Sequence, residues 1–97
     1  MPTYISLCRW MQQGSEKIKE SPSRVDAAKK AFESLGVKLR DFYMRTGRYD
    51  MVIICDAPDE MAIATAMISV SSKVSIKTET VRAFSEDVYR KVVAALP

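Results

Sequence analysis

Histidine and asparagine are both absent from this 97-residue chain. Without histidine there is no Ser-His or Cys-His nucleophile pair, no usual haem ligand and no commonest zinc ligand. Any chemistry must run on carboxylates, Tyr, Lys, Arg or Cys, or on a borrowed group. The two cysteines, Cys8 and Cys55, are too few for a disulfide framework and too isolated for a metal knuckle. Both fall inside strand patterns, where a reduced thiol packs as a small hydrophobe. No run approaches the roughly 18 apolar residues of a membrane helix. The opening Met1-Pro2-Thr3-Tyr4-Ile5-Ser6-Leu7-Cys8 lacks a basic n-region and a small-residue cleavage site, so no signal peptide is expected and the cytoplasm is the expected compartment.

Charge is mild. Fifteen Lys/Arg against twelve Asp/Glu give +3, and no block of five or six like charges marks a nucleic-acid or membrane arm. No carboxylates stand at a metal-binding spacing, so neither metal nor cofactor is expected. What is present is a core: 47% of residues are apolar, ordinary for a folded domain. The length fits one domain, 1–97, of modest stability on its own.

The most telling stretch is Gly47-Arg48-Tyr49-Asp50-Met51-Val52-Ile53-Ile54-Cys55-Asp56-Ala57-Pro58-Asp59-Glu60. It reads as a turn, a strand apolar on both faces, and a helix start. Before it, Thr3 to Trp10 reads as a first strand. Met11 to Glu20 is polar and reads as a short helix or irregular connection. A helix follows Ser21-Pro22, with Ser23 expected as its cap and Val25, Ala28, Phe32 and Leu35 inward, ending at Gly36. Val37 to Thr46 reads as a second strand. Gly47 predicts a tight hairpin into a third strand, Tyr49 to Asp56. Asp56 or Ala57 would cap a helix from Pro58 to about Val70. A fourth strand is expected over Lys73 to Phe84. Ser85 then caps a final helix, with Phe84 and Tyr89 as a hydrophobic staple and Val88, Val92 and Leu96 inward.

This order predicts an α+β chain of ferredoxin-like βαββαβ topology with an extra C-terminal helix. The first and third strands should pair antiparallel, Thr3 with about Asp56. That places Cys8 and Cys55 about 13 Å apart along the strands, too far for a disulfide.

The ordered motifs resemble one family. Met-Pro-Thr-Tyr-Ile-Ser-Leu at the start, Ser21-Pro22 with Arg24, Phe42-Tyr43, Gly47-x-Tyr49-Asp50, Ala57-Pro58-Asp59 and Thr78-Glu79-Thr80-x-Arg82-Ala83-Phe84 all resemble the GYD-domain family of small bacterial proteins, across nearly the whole chain. The resemblance implies a ferredoxin-like domain of the dimeric α+β barrel type. It carries no catalytic residues across.

Two features independently predict self-association. The third strand is apolar on both faces, whereas a small antiparallel sheet backed by helices on one side should have a polar open face. The helix Met61-Ala62-Ile63-Ala64-Thr65-Ala66-Met67-Ile68 is apolar nearly all round. Two sheets packed face to face, as homodimer or higher homo-oligomer, would satisfy both; a monomer whose terminal helix covers the second face is the competing reading.

Candidate ligand-binding residues fall in two groups. Trp10, Tyr43, Arg45, Tyr49 and Asp50 gather near one end of the sheet, either lining a pocket or standing at a core edge, with Asp50 satisfying turn amides. Thr78, Thr80 and Arg82 share a face of the edge strand, either facing a cavity or guarding the edge. The element order also matches the RNA-recognition fold, but Met51-Val52-Ile53-Ile54 cannot stack bases, so nucleic acid is not an expected partner. The leading expectation is a homo-oligomeric domain binding a small organic ligand. The runner-up is a cofactor-independent enzyme, monooxygenase- or isomerase-like, using Asp50 or a Tyr as acid or base. A purely structural assembly protein is the third.

Overall fold

The structure, a computed structural model, describes residues 1–11, 16–73 and 75–97. The elements are β1 (Thr3–Trp10), a 3₁₀ turn (Ile18–Glu20), α1 (Ser21–Ser34), β2 (Lys38–Met44), β3 (Met51–Asp56), α2 (Glu60–Lys73), β4 (Ile76–Ala83) and α3 (Glu86–Ala94). Part of the expected Met11–Glu20 connection, and Val74 of the expected fourth strand, lie outside the described residues. The four strands form one antiparallel sheet in the order β2-β3-β1-β4. This is the ferredoxin-like arrangement, and the register matches the expectation: Thr3 faces Asp56 and Cys8 faces Met51.

The core lies between the sheet and α1 and α2. Tyr4, Ser6 and Cys8 of β1 and Met51, Ile53 and Cys55 of β3 point inward and are buried. They meet Phe32 of α1 and Ile63, Ala66 and Met67 of α2. Ser6 is the buried polar residue here. Its hydroxyl lies 2.7 Å from the Thr80 hydroxyl and 3.2 Å from the Met67 sulfur, so it is not orphaned. Both cysteines are free, and burial pushes the Cys8 thiol up to about 11 and the Cys55 thiol up to about 12.

Several local expectations change. Ser23 does not cap α1: the helix begins at Ser21, and the Ser23 hydroxyl donates to the Glu20 carbonyl at 2.8 Å. The cap of α2 is Asp59, whose carboxylate accepts from the Ala62 amide at 2.8 Å. Asp56 instead accepts from Thr3 and from Arg40 at 3.1 to 3.3 Å, clipping three strands together. The helix also runs past Val70 to Lys73. The hairpin is wider than a two-residue turn. The Arg45 amide donates to the Asp50 carbonyl at 2.9 Å, closing a loop over residues 46–49, and β3 starts at Met51 rather than Tyr49. Gly47 has φ +115°, which other residues rarely adopt.

The largest departure is at the C-terminus. Ser85 caps α3 as expected, accepting from the Val88 amide at 3.3 Å. Yet α3 has no buried residue. Phe84 and Tyr89 stay 60% and 61% exposed, so neither joins the core. Val88, Val92 and Leu96 are exposed rather than turned inward. The helix therefore does not cover the second face of the sheet. Residues on that face, Ile5, Leu7, Val52 and Ile54, are only half-buried, with exposed Val81 and Tyr43 flanking them.

The consequences are measurable. The radius of gyration is 14.7 Å, against about 12.5 Å for a compact domain of this length. The accessible surface is 6843 Å², about 1,250 Å² above the size scaling for a compact monomer of this mass.

Candidate functional site

The residues expected at the hairpin end divide between the two faces of the sheet. Trp10 ends β1 on the inner face. Its backbone amide donates to the Asp50 carboxylate at 2.9 Å, while the Asp50 amide donates to the Cys8 carbonyl at 2.9 Å. Asp50 thus seals the ends of β1 and β3, with both backbone and carboxylate engaged. The Trp10 side chain borders two apolar recesses. One is a cavity of about 60 Å³ between α1 and the sheet, walled in part by Phe32, Phe42, Met51 and Ile53. Beside it is an open recess of about 450 Å³, where Trp10 meets Ile18, Pro22, Val25, Phe42 and Met44.

Tyr43, Arg45 and Tyr49 do not join Trp10 there. Tyr43 pairs with Val52 on the outer face and is 58% exposed. Tyr49 donates its hydroxyl to the Glu79 carboxylate at 2.5 Å, across the sheet end. That bond raises the Tyr49 phenol above its ordinary value, because ionisation would set phenolate against carboxylate. The Arg45 and Arg48 guanidinium groups stand 5.7 and 5.8 Å from the Tyr49 ring. Arg9, Arg48, Lys77 and Thr78 line a shallow recess of about 160 Å³ around this pair.

Thr80 and Arg82 belong to a third place, a groove of about 370 Å³ between β4 and α2, walled also by Tyr4, Glu60, Ile63, Ala64, Met67 and Ile68. Arg82 lies over the Tyr4 ring at 5.7 Å and the Phe84 ring at 4.5 Å, and donates to the Ala83 carbonyl at 2.6 Å. Reading the sequence alone missed Ser6, Tyr4 and Glu60 as members of this neighbourhood. Pairing β1 with β4 in register would have found two of them, since Ser6 faces Thr80 and Tyr4 faces Arg82. Among the described residues no group of three metal-ligating side chains occurs.

The sequence pattern of the GYD domain matches residues 4–93. The chain belongs to the GYD domain family. A relative from Thermus thermophilus, named glutamine synthetase and cystathionine beta-lyase binding protein, is 33% identical over 84 residues, covering 86% of this chain and 88% of that protein. The crystal structure of TTHA0845, also from Thermus thermophilus, superposes with a TM-score of 0.57 at 25% identity, over 88% of this chain and 95% of that one. The crystal structure of MtbAldR gives a TM-score of 0.68 at 9% identity. It covers 87% of this chain and 53% of MtbAldR, so this chain corresponds to about half of that protein, and the likeness is one of fold. No described helix of this GYD domain is long and apolar enough to cross a membrane.

Proposed function

We propose that this GYD domain is a self-associating binding module with no reaction of its own. One observation carries the reading: the outer sheet face, with Ile5, Leu7, Val52 and Ile54 at its centre, is apolar and only half-buried, and among the described residues no helix covers it. Stacking two such faces at the usual spacing of about 10 Å gives the two-sheet barrel implied by the family. The surplus surface noted above, about 1,250 Å² per chain, exceeds the roughly 800 Å² that each partner contributes to a standard interface. The Thermus relative is named for binding two metabolic enzymes, and by extension the assembled dimer docks on enzymes of that kind. Asp50, the best candidate acid or base, is bound to the Trp10 amide, which weighs against catalysis.

Light scattering at micromolar concentration tests the first half: a particle of twice 10.9 kDa is expected, and a monomer ends the reading. Binding of the dimer to purified glutamine synthetase and cystathionine beta-lyase, followed by calorimetry, tests the second.

A narrower reading, a small apolar or aromatic ligand held beside Trp10, is favoured by the 450 Å³ recess and its wall of Ile18, Pro22, Val25, Phe42 and Met44. In that reading Trp10 touches the ligand and Asp50 fixes the strand end that carries it, while Tyr43, Arg45 and Tyr49 take no part. A thermal-shift screen of organic acids and aromatics should then raise the midpoint for wild type and not for Trp10→Ala.

A further inference from the structure

We infer that α3 of one copy lies in the α2–β4 groove of a second copy, so that the two copies exchange C-terminal helices. This deepens the self-association reading by naming a second contact surface, separate from the sheet face.

A nine-residue helix is too short to hold itself in water, where isolated helices below about 12–15 residues are marginal. It needs a packing partner. Its apolar residues Val88, Tyr89, Val92 and Val93 fall on one stripe at helical spacing, continued by Leu96 just past the helix end, and they are 38%, 61%, 55%, 48% and 65% exposed. Among the described residues no surface of its own chain encloses it: α3 leaves β4 through an extended Ser85, and none of its residues is fully buried.

A matching surface is present and empty of any side chain from α3. The groove flank of α2 presents Ala64 and Ile68, with Met61 just beyond; Ile68 is 69% and Met61 78% exposed. An apolar stripe and an apolar groove on the same chain, neither filling the other, are the ingredients of a two-fold exchange in which each copy satisfies both.

Charge agrees with this occupant. Glu60 and Arg82 stand at the groove, and neither takes part in an ion pair among the described residues. Asp87 and Lys91, four residues apart, border the apolar stripe of α3 and are likewise without an ion pair there, whereas Glu86 and Arg90 on the other border bind each other at 2.8 Å. Seating α3 in the groove offers a carboxylate to Arg82 and an ammonium to Glu60. Area agrees as well. The chain's surplus of about 1,250 Å² is more than one standard interface takes from each partner, so it accommodates a helix seat in addition to sheet contact.

The test is a chain carrying both Ile68→Cys and Val92→Cys, oxidised under native conditions with the buried Cys8 and Cys55 left in place. A covalent dimer of twice 10.9 kDa, absent when either substitution is made alone, is the expected result. A disulfide closed within one chain, or two thiols that stay free to alkylation, overturns the proposal. Val92→Asp with Leu96→Asp, both exposed in the single chain, should raise the dimer dissociation constant at least tenfold; an unchanged constant also overturns it. Failure of the sheet-face reading looks different: Ile54→Lys would then leave association untouched while the interchain disulfide still forms.

Discussion

Ile54→Lys separates folding from association cleanly because of where the residue stands. Ile54 is half-buried on the outer face, opposite Ile5 on one side and Asp41 on the other. In a single chain the substitution forfeits roughly half the burial of one side chain, about 1 kcal/mol. A lysine directly across from Asp41 returns roughly 0.2–1 kcal/mol as an opposite-charge cross-strand pair. The lone domain should therefore fold nearly as well as before. In the face-to-face dimer the same lysine enters an apolar contact, and the two-fold axis makes the penalty fall twice. Allowing the ammonium to reach toward the rim, the cost is about 2–3 kcal/mol per copy, or 4–6 per dimer. That range corresponds to a dissociation constant raised roughly a thousandfold or more. Size-exclusion chromatography with light scattering should show wild type at twice 10.9 kDa and the variant at the monomer mass, with similar circular dichroism. A variant that stays dimeric with an unchanged constant refutes the placement of the interface on this face.

Asp50→Ala removes the acceptor for the Trp10 amide and should destabilise the fold by about 1.5–3 kcal/mol in urea titration, without altering the dimer mass at native conditions. Gly47→Ala forces an L side chain to φ +115° and should cost about 1–2 kcal/mol, read the same way. The thiols give a pH signature. Both are held above the ordinary value of 9.0, at about 11 for Cys8 and about 12 for Cys55, so above pH 9 the unfolded chain releases protons that the folded chain keeps. Stability should be level with respect to these groups below pH 9 and fall as pH climbs toward 11. Neither thiol should react with iodoacetamide at pH 8 until denaturant is added. On the proposed self-association, the thermal midpoint of wild type should rise by about 3–5 °C for a tenfold increase in protein concentration, and that of Ile54→Lys should not; a concentration-independent wild-type midpoint refutes it.

The sheet was legible because its signals are short-range and redundant. Alternation in Thr3–Trp10 and the doubly apolar Met51–Asp56 fix two neighbouring strands, and a one-residue slip would turn Cys8, Met51, Ile53 and Cys55 outward together. The Gly36 and Gly47 positions were legible for the same kind of reason: each has positive φ, +77° and +115°. Helix starts were less so. Ser23 and Asp56 are both good capping types, but the chain begins each helix where packing sets it, and capping falls to Asp59 in one case and to no side chain in the other. The hairpin-end cluster dispersed because proximity along the chain says little about face. Phe42 and Tyr43 are adjacent, yet one joins the core and the other stands 58% exposed on the outer side. The stripe on α3 was expected to turn inward, and within the chain it does not: Val88, Val92 and Leu96 stay exposed. Periodicity encodes an apolar stripe, not whether the rest of the chain comes within reach to cover it.

The edges of the sheet bear on how copies can meet. An apolar surplus is dangerous when a sheet can also grow sideways, since unpaired edge strands template open-ended assembly. Here both edges carry charge. The β2 edge holds Lys38 and Arg40 and a register shift between Leu39 and Asp41, and the β4 edge holds Lys77, Glu79 and Arg82. Lateral pairing with another chain would crowd these groups and break on the irregularity. The surfaces left for contact are the outer sheet face and the helix stripe with its groove. A face-to-face sheet contact is self-complementary about a two-fold axis, and so is a reciprocal helix exchange. Both close on themselves at two copies. On the proposed self-association the charged edges and the apolar faces are thus one arrangement: the edges disfavour a fibre, and the faces favour a closed pair.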